Sequence, residues 1–169
     1  LMNTVKCAIS ILIFYLSSSC GDSNAIRIDK EILNDWDLEE SIKFEISDTI
    51  DFSSNIFFHL RNNNDYPFSN IFLIASLKSN QKVYETDTLE YMMADNKGEW
   101  LGKGYSDIKE SKLLWKRNWK PFFSPPYIFE IKQANRKIGQ IKGDKYLSGI
   151  LSLGLSIEKI SNEKEVKKE

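Results

Sequence analysis

Residues 150–159 read I-L-S-L-G-L-S-I-E-K and carry the clearest structural pattern in the chain. Apolar side chains alternate there with small or polar ones: Leu151, Leu153, Leu155 and Ile157 against Ser152, Gly154, Ser156 and Glu158. Successive side chains of a β-strand point to opposite faces, so this alternation predicts a strand with one buried and one wet face. The apolar face of such a strand must be covered by a second layer of apolar side chains, which other parts of the chain have to provide.

The same period of two recurs upstream, at 42–46, 71–77 and 127–131, and residues 56–61 form an almost continuous apolar run. Turn-forming residues separate these segments, above all N-N-N-D-Y-P at 62–67 and D-N-K-G at 95–98. Only 133–137 offers a weak helical pattern. The chain therefore predicts an all-β fold, a single antiparallel β-sandwich of about seven or eight strands over residues 41–160. Residues 161–169 are charged and predict a frayed tail.

The first twenty residues predict export. Lys6 precedes an apolar run of about 10 residues, which suits a signal peptide and is too short to span a bilayer as a helix. Three serines then lead into Cys20, as in a bacterial lipobox. We expect a signal peptide at 1–19 and a lipidated Cys20, carrying diacylglycerol and palmitate, that begins a tether over 20–40, whose later part is an irregular or first-strand segment. An ordinary secretory signal with an incidental cysteine is the alternative.

Composition narrows the possible functions. Removing 1–19 removes one basic side chain and no acidic one, leaving 22 basic and 24 acidic residues, which argues against nucleic acid. Cys7 leaves with the signal peptide and Cys20 carries lipid, so no thiol remains for a disulfide, a nucleophile or zinc. The single histidine, His59, lies in an apolar strand and predicts a structural imidazole. We expect no catalytic residue, metal or cofactor.

Two weaker patterns have simpler explanations. Residues 95–99 resemble a calcium loop, but the ligand spacing is absent and a hairpin turn accounts for them. Asp87, Glu90 and Asp95 could act as glycosidase carboxylates, although acidic residues on the wet face of a strand are far commoner.

The aromatic residues leave a choice open. Six of them occur close together: Trp100, Trp115, Trp119, Phe122, Phe123 and Tyr127. On a cell-surface sandwich such a set can form a platform for sugar rings or a protein-docking patch, or it can fill the core. Prolines flank Phe122 and Phe123, and we expect at least part of this pair to be exposed.

Several motifs together resemble the gliding-motility lipoprotein family GldH of the Bacteroidetes. They are D-T-L-E-Y at 87–91, A-D at 94–95, G-E-W-L-G-K-G at 98–104, R-N at 61–62, Y-P-F-S-N at 66–70, D-I-K at 107–109, I-K-Q-A at 131–134 with Arg136, and residues 149–159. The departures are Asn135, where a hydrophobic residue is expected, and S-P-P at 124–126 in place of a glycine-containing loop. The resemblance implies an envelope lipoprotein that serves gliding motility and the associated type IX secretion apparatus, without established enzymatic activity.

The segment 100–104, W-L-G-K-G, has two interpretations. Its glycines permit unusual backbone angles or a close approach of another chain, which fits a β-bulge or sheet corner. It also fits a docking loop for an envelope protein. Our hypothesis is a non-enzymatic lipoprotein, anchored in the outer membrane by its acyl chains, that binds other gliding or secretion proteins. The candidate docking residues are Trp100, Lys103, Trp119, Phe122 and Phe123. The alternative is a lipid-anchored carbohydrate-binding module that uses the tryptophans.

Overall fold

A computed structural model describes residues 25–137 and 139–160. The predicted signal peptide, Cys20 and the 161–169 tail lie outside these ranges. The described residues contain ten strands and no helix: β1 (Ala25–Glu31), β2 (Trp36–Asp37), β3 (Ile42–Ile46), β4 (Ser54–Asn62), β5 (Asn70–Ser79), β6 (Lys82–Met92), β7 (Lys109–Trp119), β8 (Tyr127–Gln133), β9 (Tyr146–Leu147) and β10 (Ile150–Lys159). Within that part of the chain, no helix is available that could cross a membrane.

Eight of the strands form two antiparallel four-stranded sheets. The first has the order β1-β10-β4-β7 and the second the order β3-β8-β5-β6, while β2 and β9 form a small separate pair. The inner faces of the sheets share one hydrophobic core, in which Trp115 of the first sheet contacts Phe129 of the second at 6.0 Å between ring centroids. The predicted all-β sandwich is confirmed.

The alternating patterns explain how the core is filled. In β3 the side chains of Ile42, Phe44 and Ile46 are buried, whereas Lys43 and Glu45 are exposed, as the period of two predicts. The strands β5 and β8 alternate in the same way. Burying each large aliphatic or aromatic side chain contributes about 1.5–3 kcal/mol, so these alternating residues are the main source of stability.

The strands give the sandwich two distinct ends. One end holds Ala25 of β1, Ser54 of β4, Trp119 of β7 and Lys159 of β10, because these residues are register neighbours across the first sheet. We call it the Ala25 end. The opposite end, which we call the Asn62 end, holds Glu31, Asn62, Lys109 and Ile150. Strand β4 has nine residues, which separates the two ends by roughly 26 Å.

The structure corrects three details of the sequence interpretation. Strands β1 and β2 lie inside the 20–40 segment assigned to a tether, since β1 pairs along its whole length with β10. The 133–137 segment is not helical. The polar face of β10 is buried too: Ser152, Gly154 and Ser156 are all inaccessible, and Gly154 is covered by Asp29 and His59 of the neighbouring strands.

Candidate functional site

The tight turn at 95–98 leads into the W-L-G-K-G segment. The Asp95 carboxylate accepts hydrogen bonds from the backbone N–H groups of Lys97 (2.8 Å) and Glu99 (2.9 Å), and Gly98 has φ +83°. Ala94 and Trp100 then pair across the turn. One carboxylate oxygen of Asp95 is thus engaged by the turn itself, and the hairpin interpretation accounts for this segment.

Residues 100–104 form a corner that is fixed against strand β7. Lys103 and Glu110 exchange two backbone hydrogen bonds of 2.8 Å each, and the N–H of Leu101 donates to Met93 at 2.9 Å. A Cβ on Gly104 would lie 2.2 Å from the carbonyl oxygen of Ile108, and one on Gly102 would lie 2.9 Å from that of Glu110. Glycine is needed here because two backbone segments approach closely, whereas neither residue has a positive φ.

Trp100 holds the corner to the body of the domain. Its half-buried ring lies 6.0 Å from that of Tyr66, and its indole N–H donates to the side-chain oxygen of Asn64 at 2.9 Å. Tyr66 in turn donates a hydrogen bond to the carbonyl of Asn70 at 2.6 Å, and burial raises the pKa of its phenol. The predicted docking residue Trp100 is therefore mainly a structural support for the exposed residues that follow it.

The corner presents an exposed, mostly apolar surface at the Asn62 end. We call the side chains of Met92, Leu101, Lys103, Tyr105 and Ile108 the corner surface. Leu101 is 58% exposed and Tyr105 is 96% exposed. Two shallow depressions flank Lys103, and both are bounded by Glu110. A fixed corner that displays apolar side chains beside cationic ones is suited to binding another protein.

Beneath this surface, the outer face of the first sheet holds a buried histidine. His59 is 5% exposed, with Nδ1 3.2 Å from a carboxylate oxygen of Glu110 and Nε2 2.9 Å from the hydroxyl of Ser156. Arg27 also donates to Glu110, at 3.2 Å, and to Asp29. Burial, together with the charge of Arg27, lowers the pKa of His59. Both ring nitrogens of His59 thus face an oxygen partner, Glu110 at Nδ1 and Ser156 at Nε2, and the Ser156 hydroxyl in turn donates to Glu158.

This Ser156–His59–Glu110 arrangement repeats the order of a hydrolase triad, which the sequence did not suggest. The three residues come from β10, β4 and β7, and His59 is 51 positions from Glu110 and 97 from Ser156, so no local spacing could reveal them. Ser156 is only 1% exposed, and its hydroxyl also lies 3.1 Å from Glu158. Because a nucleophile must reach its substrate, we assign the group to the stability of the sheet face.

The carboxylates considered for glycosidase chemistry are engaged separately. Asp87 accepts hydrogen bonds from Lys116 (2.7 Å) and from the indole of Trp115 (2.9 Å), joining the β6 edge to the β7 edge. Burial alone would raise the pKa of Asp87, but these two bonds outweigh it and the pKa is lowered. Glu90 accepts from Asn70 at 2.7 Å, and Asp95 forms its turn.

The aromatic set divides into core and surface. Trp115 and Trp119 are buried, with Trp119 6.1 Å from Tyr127 and 6.0 Å from Phe129. Trp119 is therefore unable to dock a partner as the sequence interpretation proposed, and the two tryptophans do not form a sugar platform. Phe123 is half-buried, and Phe122 is 62% exposed. Lys103 is exposed as expected.

Comparisons with known proteins agree with the resemblance seen in the motifs. The family model described as GldH lipoprotein matches residues 27–157. The chain is 42% identical over 164 residues to a gliding motility lipoprotein GldH homolog of Christiangramia forsetii, covering 94% of this chain and 100% of that protein. It is 36% identical over 159 residues to the gliding motility lipoprotein GldH of Flavobacterium johnsoniae, covering 93% and 98%. No solved structure matches. The chain belongs to the GldH lipoprotein family.

Proposed function

We propose that this protein is a non-enzymatic lipoprotein, anchored in the outer membrane by acyl chains on Cys20, that supports gliding motility and the associated type IX secretion machinery through protein contacts. The names of the two relatives support the motility role, and the family supports a lipid-anchored place in the envelope. The observation that carries the contact mechanism is the corner surface, because the fixed W-L-G-K-G segment presents Leu101 beside the exposed side chains of Met92, Tyr105 and Ile108.

The position of the corner surface favours a role as the partner-binding face. It lies at the Asn62 end, while the chain that leads back to Cys20 leaves from Ala25 at the opposite end. The length of β4 places the corner roughly 26 Å beyond that end. Acyl chains hold the domain at the membrane, and the corner then reaches past the headgroups toward a protein neighbour.

The chemistry of the corner suggests how a partner binds. Leu101, Tyr105 and Met92 supply apolar area, and an interface centred on such residues gains most of its affinity from a few anchors. Lys103 is exposed and borders both depressions, together with Lys112 in one and Arg61 in the other. A partner with an apolar pocket and a nearby carboxylate fits this arrangement.

Complementation of a deletion strain tests the proposal. A strain that lacks the protein should regain colony spreading with the wild-type chain, but not with Leu101→Glu, which places a charge in the apolar patch. Ile141→Glu is the matched control, because Ile141 is 96% exposed and lies outside the corner surface. Equal spreading with all three chains at equal protein levels would reject the corner as the contact. A secretion assay on the same strains tests the type IX link separately.

The carbohydrate-binding alternative receives no support from the geometry, since Trp115 and Trp119 are in the core. A glycan array with the full chain gives a direct check, and we expect no sugar to be retained.

A further inference from the structure

Among the residues that the structure describes, seven of the nine exposed large hydrophobic side chains lie at or beyond the Asn62 end, and the remaining two, Val83 and Phe122, lie at the Ala25 end. Phe122 follows β7, whose last residue Trp119 pairs with Ser54. Val83 lies near the start of β6, next to Lys82, which pairs with Ser79. These two side chains therefore occupy the end from which the chain runs back to Cys20.

A stack of aromatic rings supports Phe122 from below. The rings of Tyr84 and Phe123 are parallel, with centroids 3.8 Å apart, and Phe122 meets them edge to face at 5.7 and 5.1 Å. Phe123 continues inward to Tyr127 at 5.5 Å. We call Val83, Tyr84, Phe122 and Phe123 the aromatic tip.

The loop that carries the tip is also fixed. The hydroxyl of Ser79 donates to the carbonyl of Ser124 at 3.1 Å, and prolines at 121, 125 and 126 restrict the backbone. Phe122 is therefore held outward on a preorganised support, so little conformational entropy is lost when its ring is buried.

Covalent geometry limits how far the anchor can lie from the Ala25 end. Five peptide steps join Cys20 to Ala25, so the chain between them reaches at most about 18 Å. Strand β1 is at one edge of the first sheet and β7 is at the other, three strand spacings or roughly 14 Å away. The anchored edge and Phe122 thus form two separate points on the end that faces the lipid.

We propose that the aromatic tip is a second membrane contact, in which Phe122 inserts at the lipid interface and fixes the tilt of the domain. The inference rests on the proposed acylation of Cys20. Lys82 lies 4.7 Å from the ring centroid of Tyr84, and Lys120 precedes the loop. Aromatic rings flanked by lysines are the residues that membrane interfaces favour, since the rings enter the boundary and the ammonium groups remain in water.

The contact is mainly apolar. Exposed Asp48 and Asp51 lie on the β3–β4 connection at the same end and offset the charges of Lys82 and Lys120. Anionic lipid and low salt are therefore not required. The acyl chains keep the tip near the bilayer, and this high effective concentration allows one aromatic side chain to shift the orientation of the domain.

The two membrane contacts together fix the direction in which the corner surface points. With the anchored edge and Phe122 both at the membrane, the strands rise away from it and the corner points outward. Without the Phe122 contact, the domain turns about its single covalent attachment.

Site-directed spin labelling of the full, membrane-assembled chain tests this contact. The acylated mature chain has no free thiol, so Ser124→Cys introduces a unique label site next to Phe122, and Tyr105→Cys provides the matched site at the Asn62 end. In vesicles of phosphatidylethanolamine and phosphatidylglycerol, the label at 124 should be accessible to oxygen and shielded from a water-soluble nickel agent. The label at 105 should be accessible to the nickel agent.

Two further variants separate insertion from folding effects. In the Ser124→Cys background, Phe122→Ser should reduce the membrane-contacting population about tenfold, whereas Phe122→Leu should keep the label shielded. Both chains should retain the melting temperature, because Phe122 is mostly exposed.

Each contrary result has a distinct meaning. A label at 124 as open to nickel as the label at 105 overturns the inference, and so does shielding from both nickel and oxygen, which would mean contact between two copies of the protein. Mass spectrometry of the same sample measures acylation of Cys20 independently of the spin label. Absence of the acyl chains would therefore reject the proposed anchor, whereas an acylated chain with an exposed label would reject the aromatic tip alone.

Discussion

Replacing Gly104 with alanine tests whether the corner is fixed by close backbone approach. The new Cβ would lie 2.2 Å from the carbonyl oxygen of Ile108, whereas ordinary contacts begin at 3.4 Å. The two segments would have to separate by more than 1 Å, as the difference between these distances shows. The only partner in that contact is backbone, so a side-chain rotation cannot relieve it.

The magnitude follows from the bonds that such a shift would disturb. Lys103 and Glu110 share two backbone hydrogen bonds of 2.8 Å. Losing both costs about 2 kcal/mol, while the reduced entropy of the unfolded chain returns about 0.5 kcal/mol. We expect Gly104→Ala to lower the free energy of unfolding by about 1.5 kcal/mol, which corresponds to a fall in Tm of roughly 5 °C.

Thermal melting and hydrogen exchange measure this effect together. The amides of Lys103 and Glu110 should exchange roughly tenfold faster in the variant, since the corner opens locally before the core does. Lys103→Ala is the matched control, and we expect its unfolding free energy to stay within about 0.5 kcal/mol of wild type. A Gly104→Ala protein with unchanged Tm and unchanged exchange at both amides would refute the close-approach argument.

Three other predictions concern the histidine, the strand-edge ion pair and the anchor. Burial lowers the pKa of His59 in the folded protein below the ordinary histidine pKa of 6.5. The folded state is therefore most stable above pH 6.5, where the imidazole is neutral, and it loses stability as the pH falls below 6.5. Denaturant melts between pH 7 and 5 should show the loss, His59→Gln should remove it, and an identical slope in that variant would contradict the assignment. Lys116→Met should cost about 1–2 kcal/mol, because Asp87 loses its cation in a partly buried site, whereas Lys112→Met, at a more exposed side chain, should cost at most about 0.5 kcal/mol. Equal chemical-denaturation midpoints for those two variants would count against the ion pair. Cys20→Ser should move the protein from the membrane to the soluble fraction with an unchanged β-type circular-dichroism spectrum and melt, and retention in the membrane would contradict lipid anchoring.

The fold was predictable where burial follows a simple period. Ile42, Phe44 and Ile46 alternate with charged residues, and the structure buries only the three apolar ones. Strand β1 was indicated only as an irregular or first-strand segment, because its residues are mostly exposed: it lies at a sheet edge, where pairing with β10 holds it more than burial does. Sequence periodicity cannot detect a strand of that kind.

The site was less predictable because it depends on contacts between distant strands. Sequence identified the W-L-G-K-G segment, but the reason for its glycines, a carbonyl of Ile108 across the corner, appears only in three dimensions. The surroundings of His59 come from three other strands. Trp119 and Phe122 are three positions apart and differ in burial: Trp119 is buried at the end of β7, whereas Phe122 lies in the proline-flanked loop that follows and is mostly exposed.

Photo-crosslinking in living cells tests the central claim most directly. A benzoylphenylalanine at position 105 replaces an exposed ring on the corner surface, and the same residue at 141 serves as the control site. We expect one discrete protein adduct from position 105, none from position 141, and loss of the first adduct when Leu101→Glu is added. Adducts that are absent at 105, or equal at both positions, would contradict the corner surface as the site through which this lipoprotein binds its partner.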